Sequence, residues 1–148
     1  MASDELDKVE LPALEQLQSL GWSYVEGAKL SPDESDERKS LKDVVLEKRL
    51  TSSIKRINPW INDENLRKVV RDLTKTLYPN LVEANQAIWT QINQSVSVMQ
   101  DLGKGNRGQT VHIIDFEHPE NNEFLCTNQF KVSGVNQNII PDILCFVN

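Results

Sequence analysis

The stretch 138-NIIPDILCFVN-148 decides how this chain is read. A charged Asp142 stands directly before the apolar run Ile143-Leu144-Cys145-Phe146-Val147. That run is nearly continuously apolar, so it reads as a strand buried on both faces. Such a strand needs neighbours on either side, and only the strands before it are on offer, so the sheet is expected to be incomplete within these residues. A carboxylate at the mouth of a buried strand is costly unless it is paired, hydrogen-bonded or bound to a cation. Two readings of Asp142 follow. It can open the strand at the solvent edge, as Asp after Pro does in turns. Or it can be a ligand for a divalent metal such as Mg²⁺, which prefers carboxylate oxygens and keeps several waters.

Working back from this strand, EFLCTNQFKV (123–132) and QTVHIIDF (109–116) are also rich in β-branched and aromatic residues. HPENN (118–122) and GVNQN (134–138) are the connections, giving a three-strand meander. GKGNRG (103–108) reads as the turn that enters it. It lacks the spacing of a phosphate-cradling loop and follows a helix rather than a strand. Upstream the periodicity is helical. VELPALEQLQSLGW carries Leu14, Leu17 and Leu20 on one face, with Pro12 in the first turn and Gly21 as terminator. SPDESDERKS (31–40) is a loop from which Ser40 can cap a helix over 41–57, with Leu41, Val44, Val45, Leu50, Ile54 and Ile57 inward and Asn58-Pro59 ending it. Asn62 or Asp63 caps a third helix whose stripe is Leu66, Val69, Val70, Leu73 and Leu77. Pro79 breaks it, and a fourth helix aligns Leu81, Ala84, Ile88, Ile92, Val96 and Met99. The division is therefore 1–35 (first helix and loop), 40–101 (helical block) and 109–148 (core strands), an α+β order of helices followed by a β-meander.

Composition narrows the function. The chain has 148 residues, enough for one core, and a net charge of −6, which argues against a free-standing basic nucleic-acid module. The acidic N-terminus has no apolar signal region, and no run reaches the roughly 18 apolar residues of a membrane span. Cys126 and Cys145 lack C-x-x-C spacing and read as reduced, buried thiols, which places the protein in the cytoplasm. His112 and His118 have no partner at ligand spacing. Trp22, Trp60 and Trp89 read as core and helix-packing residues. Lys48, Arg49, Lys55, Arg56, Arg67, Lys68 and Arg71 read as charged helix faces in water, with phosphate contact as the less common alternative.

The motif series adds a resemblance. Asp115-Phe116, Pro119-Glu120-Asn121-Asn122, Phe124, Asn128-Gln129-Phe130, Pro141-Asp142-Ile143 and Phe146-Val147-Asn148 together resemble the N-terminal nuclease region of the R (restriction) subunit of type I restriction–modification enzymes. VELPALEQLQSLGWSYVEG and LVEANQAIWTQI are similar to helices of that family, so the resemblance covers essentially the whole chain. Ile140 stands where the family usually has a basic residue.

The resemblance implies the N-terminal part of a PD-(D/E)xK restriction-endonuclease-like fold with an incomplete sheet. Such a fold has an acidic residue on the first helix, an Asp opening one core strand and a Glu-x-Lys on the next. Asp142 maps onto the strand Asp. Glu10 maps onto the helical acid, in register with Leu14, Leu17 and Gly21; Glu15, off that stripe, is the weaker candidate. Glu10 can equally be a favourable charge at a helix N-terminus. The implied chemistry is Mg²⁺-dependent hydrolysis of double-stranded DNA by an ATP-driven translocating subunit, assembled with modification and specificity subunits. No acidic or basic residue follows Asp142, so the Glu-x-Lys is expected beyond Asn148, on a longer polypeptide, and the isolated chain is expected to be inactive. A rival reading makes the helices of 41–101 a non-catalytic protein-interaction module docking onto partner subunits.

Overall fold

The structure, a computed structural model, describes residues 6–75 and 79–148. In chain order the elements are α1 (Leu11–Ser19), β1 (Ser23–Tyr24), α2 (Glu47–Ile57), α3 (Asp63–Thr74), α4 (Leu81–Gln94), β2 (Val96–Asp101), β3 (Asn106–Val111), β4 (Phe124–Asn128), β5 (Val132–Ser133), β6 (Asn138–Ile139) and β7 (Ile143–Val147). The architecture is α+β, as the sequence pattern indicates, but the expected meander does not form: β3 pairs with β2 across the turn that follows β2, and β4 pairs with β1 and β7. Among the described residues no helix is long and apolar enough to cross a membrane. The chain divides into two compact units.

One unit joins the chain up to Leu46 to Glu123–Val147. A single π-helical turn, Leu6–Glu10, runs into α1. Pro12 sits in the first turn of α1, where its missing N–H leaves no helix bond unmade. Gly21, at φ +97°, takes the left-handed conformation that ends the helix. The sheet has the order β1-β4-β7. Central β4 is parallel to β1 (Tyr24 opposite Cys126) and antiparallel to β7 (Phe124 opposite Val147, Asn128 opposite Ile143). Leu30, Leu46, Leu125 and Phe130 form the core, with Val25, Val132, Leu144 and Phe146 packed against them. Burying a side chain such as Phe130 contributes roughly 1.5–3 kcal/mol.

β7 departs from expectation. It is an edge strand in the sheet of the described residues, not a strand buried on both faces. Leu144 and Phe146 face the core, while Cys145 and Val147 are exposed. Its outer face is apolar in sequence, so alternation is invisible in hydropathy and only the number of neighbouring strands reveals it. Cys126 is buried as expected; Cys145, its cross-strand partner, is not.

The helix expected from Leu41 begins at Glu47 instead. Arg38, 3% exposed, explains the late start. Its Nη2 donates to the Leu41 carbonyl (2.9 Å), its Nε to that of Asp43 (2.7 Å) and its Nη1 to that of Lys131 (2.9 Å), while the Ser133 N–H also donates to Leu41 (2.9 Å). Carbonyls so engaged are withdrawn from the i+4 ladder of a helix. Arg38 also lies 4.1 Å from the centre of the Phe130 ring. Burial lowers its pKa and the Asp43 carboxylate opposes that, but a guanidinium stays charged. Ser40 does not cap a helix; its hydroxyl accepts from the Lys42 N–H at 3.2 Å.

The other unit is Glu47–Asn122 with Asn148. Leu50 and Ile54 of α2, Leu66, Val69 and Val70 of α3, Val98 of β2 and Val111 of β3 share one core with Ile61 and Ile113, and Leu73 packs against it. Leu77 lies outside the described residues. Asn62 is the cap of α3, its Oδ1 accepting from the Asn65 N–H at 2.8 Å; Asn80 does the same for α4 through Glu83 at 2.9 Å.

The fourth helix is shorter than its periodicity suggests. It ends at Gln94, Ser95 turns at φ 65°, and Val96–Asp101 is a strand paired antiparallel with Asn106–Val111. Val96 and Met99 therefore belong to a hairpin, not to a helical stripe. Val98 and Gln100 are the buried positions of β2, and Gln100 explains why they were hard to see. Its amide bonds like a peptide unit, accepting from the Asn62 N–H (3.0 Å) and donating to the Trp60 carbonyl (2.7 Å). Buried Asn58 does likewise with His112, accepting from its N–H (3.0 Å) and donating to its carbonyl (2.8 Å). A polar side chain satisfied in this way sits in a core at little cost. Trp60 packs on the core, but Trp89 is 62% exposed on α4, against the packing role expected of it.

Candidate functional site

Glu10 is the last residue of the π-helical turn and the residue before α1. It is 6% exposed. Its side chain does not cap the helix it precedes. Both carboxylate oxygens instead accept from Nε2 of Gln129, each at 3.1 Å. No Lys, Arg or His ion pair with Glu10 is formed among the described residues. A carboxylate removed from water and held, among the described residues, by a neutral amide lacks the compensation that buried charge normally finds. Glu15, the weaker helical candidate, is exposed on α1.

Gln129 follows β4 with φ 52°, an uncommon backbone for a residue with a Cβ. Its N–H donates to the Asp142 carbonyl at 3.1 Å. One residue thus touches the helical acid with its side chain and the strand Asp with its backbone. Asp142 itself is exposed, immediately before β7. Asn128, one residue earlier, is buried and accepts from the Tyr24 hydroxyl at 2.8 Å. Burial first, then the charges of Glu26, Cys126 and Glu10, raise the Tyr24 pKa. The turn Gly27–Leu30 presses on the same segment: a Cβ on Gly27 would lie 2.1 Å from the Asn128 carbonyl oxygen.

The donors in this region are carboxylate and amide oxygens, suited to a hard cation rather than to zinc. Among the described residues no group of three or more His, Cys, Asp or Glu is placed to hold a metal ion. Glu10 and Asp142 are two carboxylate-bearing residues linked through Gln129, short of a complete ligand set. Sequence reasoning singled out Glu10 and Asp142 but passed over Gln129. Asn128-Gln129-Phe130 is one of the motifs of the resemblance, but a Gln after a strand has no spacing signature.

The other motif residues have a structural task. The Asp115 carboxylate accepts from the N–H groups of Glu117 (3.2 Å) and His118 (2.9 Å) and from Nδ2 of Asn121 (2.9 Å). Asn122 accepts from the Asp115 N–H (2.8 Å) and donates to its carbonyl (2.8 Å), and Nδ2 of Asn148 reaches Oδ1 of Asn122 (3.1 Å) and the Ile113 carbonyl. The Asn121 bond, then that of His118, holds the Asp115 carboxyl below its ordinary value. A lowered folded pKa contributes stability that is present above the unfolded value of about 3.9 and is lost as pH falls through the folded one. On acidification below about pH 4, the loop Asp115–Asn122 is expected to open before the α2–α3 core does. Amide exchange at His118 followed by NMR checks this; protection that persists until global unfolding contradicts it.

Arg56 donates to the Asn121 carbonyl (2.7 Å) and Ser53 (3.0 Å), and Lys55 to the Ile61 carbonyl. Arg67, Lys68 and Arg71 line a surface groove on α3 with Glu64 and Asn65. His118 is exposed, 3.5 Å from Glu120.

Fold and site together define an α+β chain in which a buried helical carboxylate is tied, through one amide-bearing residue, to the start of an edge strand. The model of the family described as "Type I restriction enzyme R protein N terminus" matches residues 3–148, and the chain belongs to that family. It is 34% identical over 143 residues to the "Putative type I restriction enzyme MjaIXP endonuclease subunit" of Methanocaldococcus jannaschii, covering 95% of this chain and 14% of that protein. It is 33% identical over 142 residues to the "Type I restriction enzyme HindI endonuclease subunit" of Haemophilus influenzae, covering 95% and 14%. The chain thus spans about one seventh of the length of these curated relatives.

Proposed function

We propose that this chain is the N-terminal part of the DNA-cleaving R subunit of a type I restriction enzyme and carries half of a PD-(D/E)xK nuclease site. The observation that supports this most is Glu10: a buried carboxylate whose partner among the described residues is an amide, joined through Gln129 to Asp142. Glu10 and Asp142 are the residues that would hold Mg²⁺. Bound there, the ion would supply Lewis-acid stabilisation of the phosphate and a more acidic water. Glu10 is the fixed ligand, oriented by the Gln129 amide. Asp142 is the accessible one, free to meet a hydrated ion at the strand mouth. The Glu-x-Lys of the family pattern would come from a further strand added to β7, whose outer edge has no partner among the described residues. The substrate is double-stranded DNA. ATP acts with the complete subunit, elsewhere than on these residues, and the modification and specificity subunits are its partners.

Without the Glu-x-Lys the isolated chain should bind metal weakly and leave supercoiled plasmid intact in Mg²⁺. Agarose electrophoresis of the incubated plasmid tests this. Robust nicking that Asp142→Ala removes would show the site to be complete without a further strand.

A second reading has one observation in its favour. Leu81, Val82 and Trp89 are exposed on α4, which suits a helix that docks on a partner protein surface.

A further inference from the structure

The Gln129 side chain and backbone serve different residues, and this division carries an inference that rests on the metal reading above. We propose that Gln129 is a positioning residue that sets the Glu10 carboxylate and the Asp142 strand mouth in register for one divalent cation. Three observations support it. Its Nε2 is shared between both Glu10 oxygens at 3.1 Å, which sets the direction in which the carboxylate points. Its N–H holds the Asp142 carbonyl at 3.1 Å, which ties the approach to β7 to the end of β4. Its φ of 52° is one at which glycine or asparagine would be less strained, so the side chain is retained against the backbone preference. A neutral donor also suits the task. A Lys at this place would form an ion pair with Glu10 and repel the cation; the amide orients the carboxylate and leaves its charge uncompensated.

The left-handed backbone makes the test clean. Gln129→Gly keeps the N–H and suits the left-handed backbone while removing the side chain. Gln129→Lys keeps a donor but adds the competing charge. Mn²⁺ binding to the full-length subunit is measured by calorimetric titration, alongside thermal melting. Gln129→Gly is expected to weaken Mn²⁺ by about tenfold, the usual effect of losing a hydrogen bond to a metal ligand, without lowering the melting temperature. Gln129→Lys is expected to abolish the binding while leaving the protein folded. If Glu10→Gln and Asp142→Asn weaken Mn²⁺ but both Gln129 variants bind like wild type, the positioning role is wrong and the metal site stands. If Glu10→Gln and Asp142→Asn also leave binding unchanged, the metal reading fails and this inference with it.

Discussion

In the full-length subunit, Glu10→Gln and Asp142→Asn are each expected to lower the rate of Mg²⁺-dependent DNA cleavage by about a hundredfold or more. A bound divalent cation supplies several kcal/mol of charge stabilisation to phosphate chemistry, and about 1.4 kcal/mol is a factor of ten in rate. The two variants should differ in stability. Glu10 is buried, and a Gln there keeps the shape and an acceptor oxygen for the Gln129 amide while removing a charge from the interior. Glu10→Gln should therefore melt at or above the wild-type temperature, because buried charge without a cationic partner destabilises. Asp142 is exposed, and its substitution should leave melting unchanged. Activity lost while stability holds or rises is the signature of residues kept for function. Wild-type cleavage by either variant would contradict the assignment of that residue.

Gly27→Ala should destabilise the fold by about 3 kcal/mol, at the upper end of what overpacking usually costs. The ideal Cβ meets the Asn128 carbonyl oxygen at 2.1 Å and the Gln129 carbonyl carbon and oxygen at 2.9 Å. These are backbone atoms, which cannot swing aside like the end of a long side chain. Either the Gly27–Leu30 turn or the end of β4 must shift. Asn128 and Gln129 lead from β4 to the Glu10 contact, so Mn²⁺ affinity should fall with stability. A lower urea midpoint at an unchanged slope would report the first effect. A variant with the wild-type midpoint would mean that the turn has room the structure does not show.

Much of this architecture is legible in the sequence. The α+β order, the amphipathic stripe of α3, the Asn62 cap and the end of α1 at Gly21 follow from periodicity and turn chemistry. Several of the failures share a cause: polar side chains that bond to backbone groups. Val96 fits a helical stripe with Ile92 and a strand alternation with Val98, and the buried Gln100 that decides for the strand looks like a surface residue until Trp60 and Asn62 flank it. Leu41, Val44 and Val45 have helical spacing, but Arg38 takes the carbonyls of Leu41 and Asp43. Nothing in SPDESDERKS marks its arginine as buried. At the site, the two acids could be picked by motif resemblance, whereas Gln129 becomes visible only when residues 119 positions apart meet. The Asp115–Asn122 motif was equally legible, and its hydrogen bonds close a loop.

The central claim is that Glu10 and Asp142 serve one cation. A double-mutant cycle on the cleavage rate of the full-length subunit tests it most directly, using Glu10→Gln, Asp142→Asn and the pair. Residues that act as a unit lose their effect together. The double variant is therefore predicted to cleave no more slowly than the worse of the two single variants. Losses that multiply would mean that the two carboxylates act independently and would contradict a shared metal site.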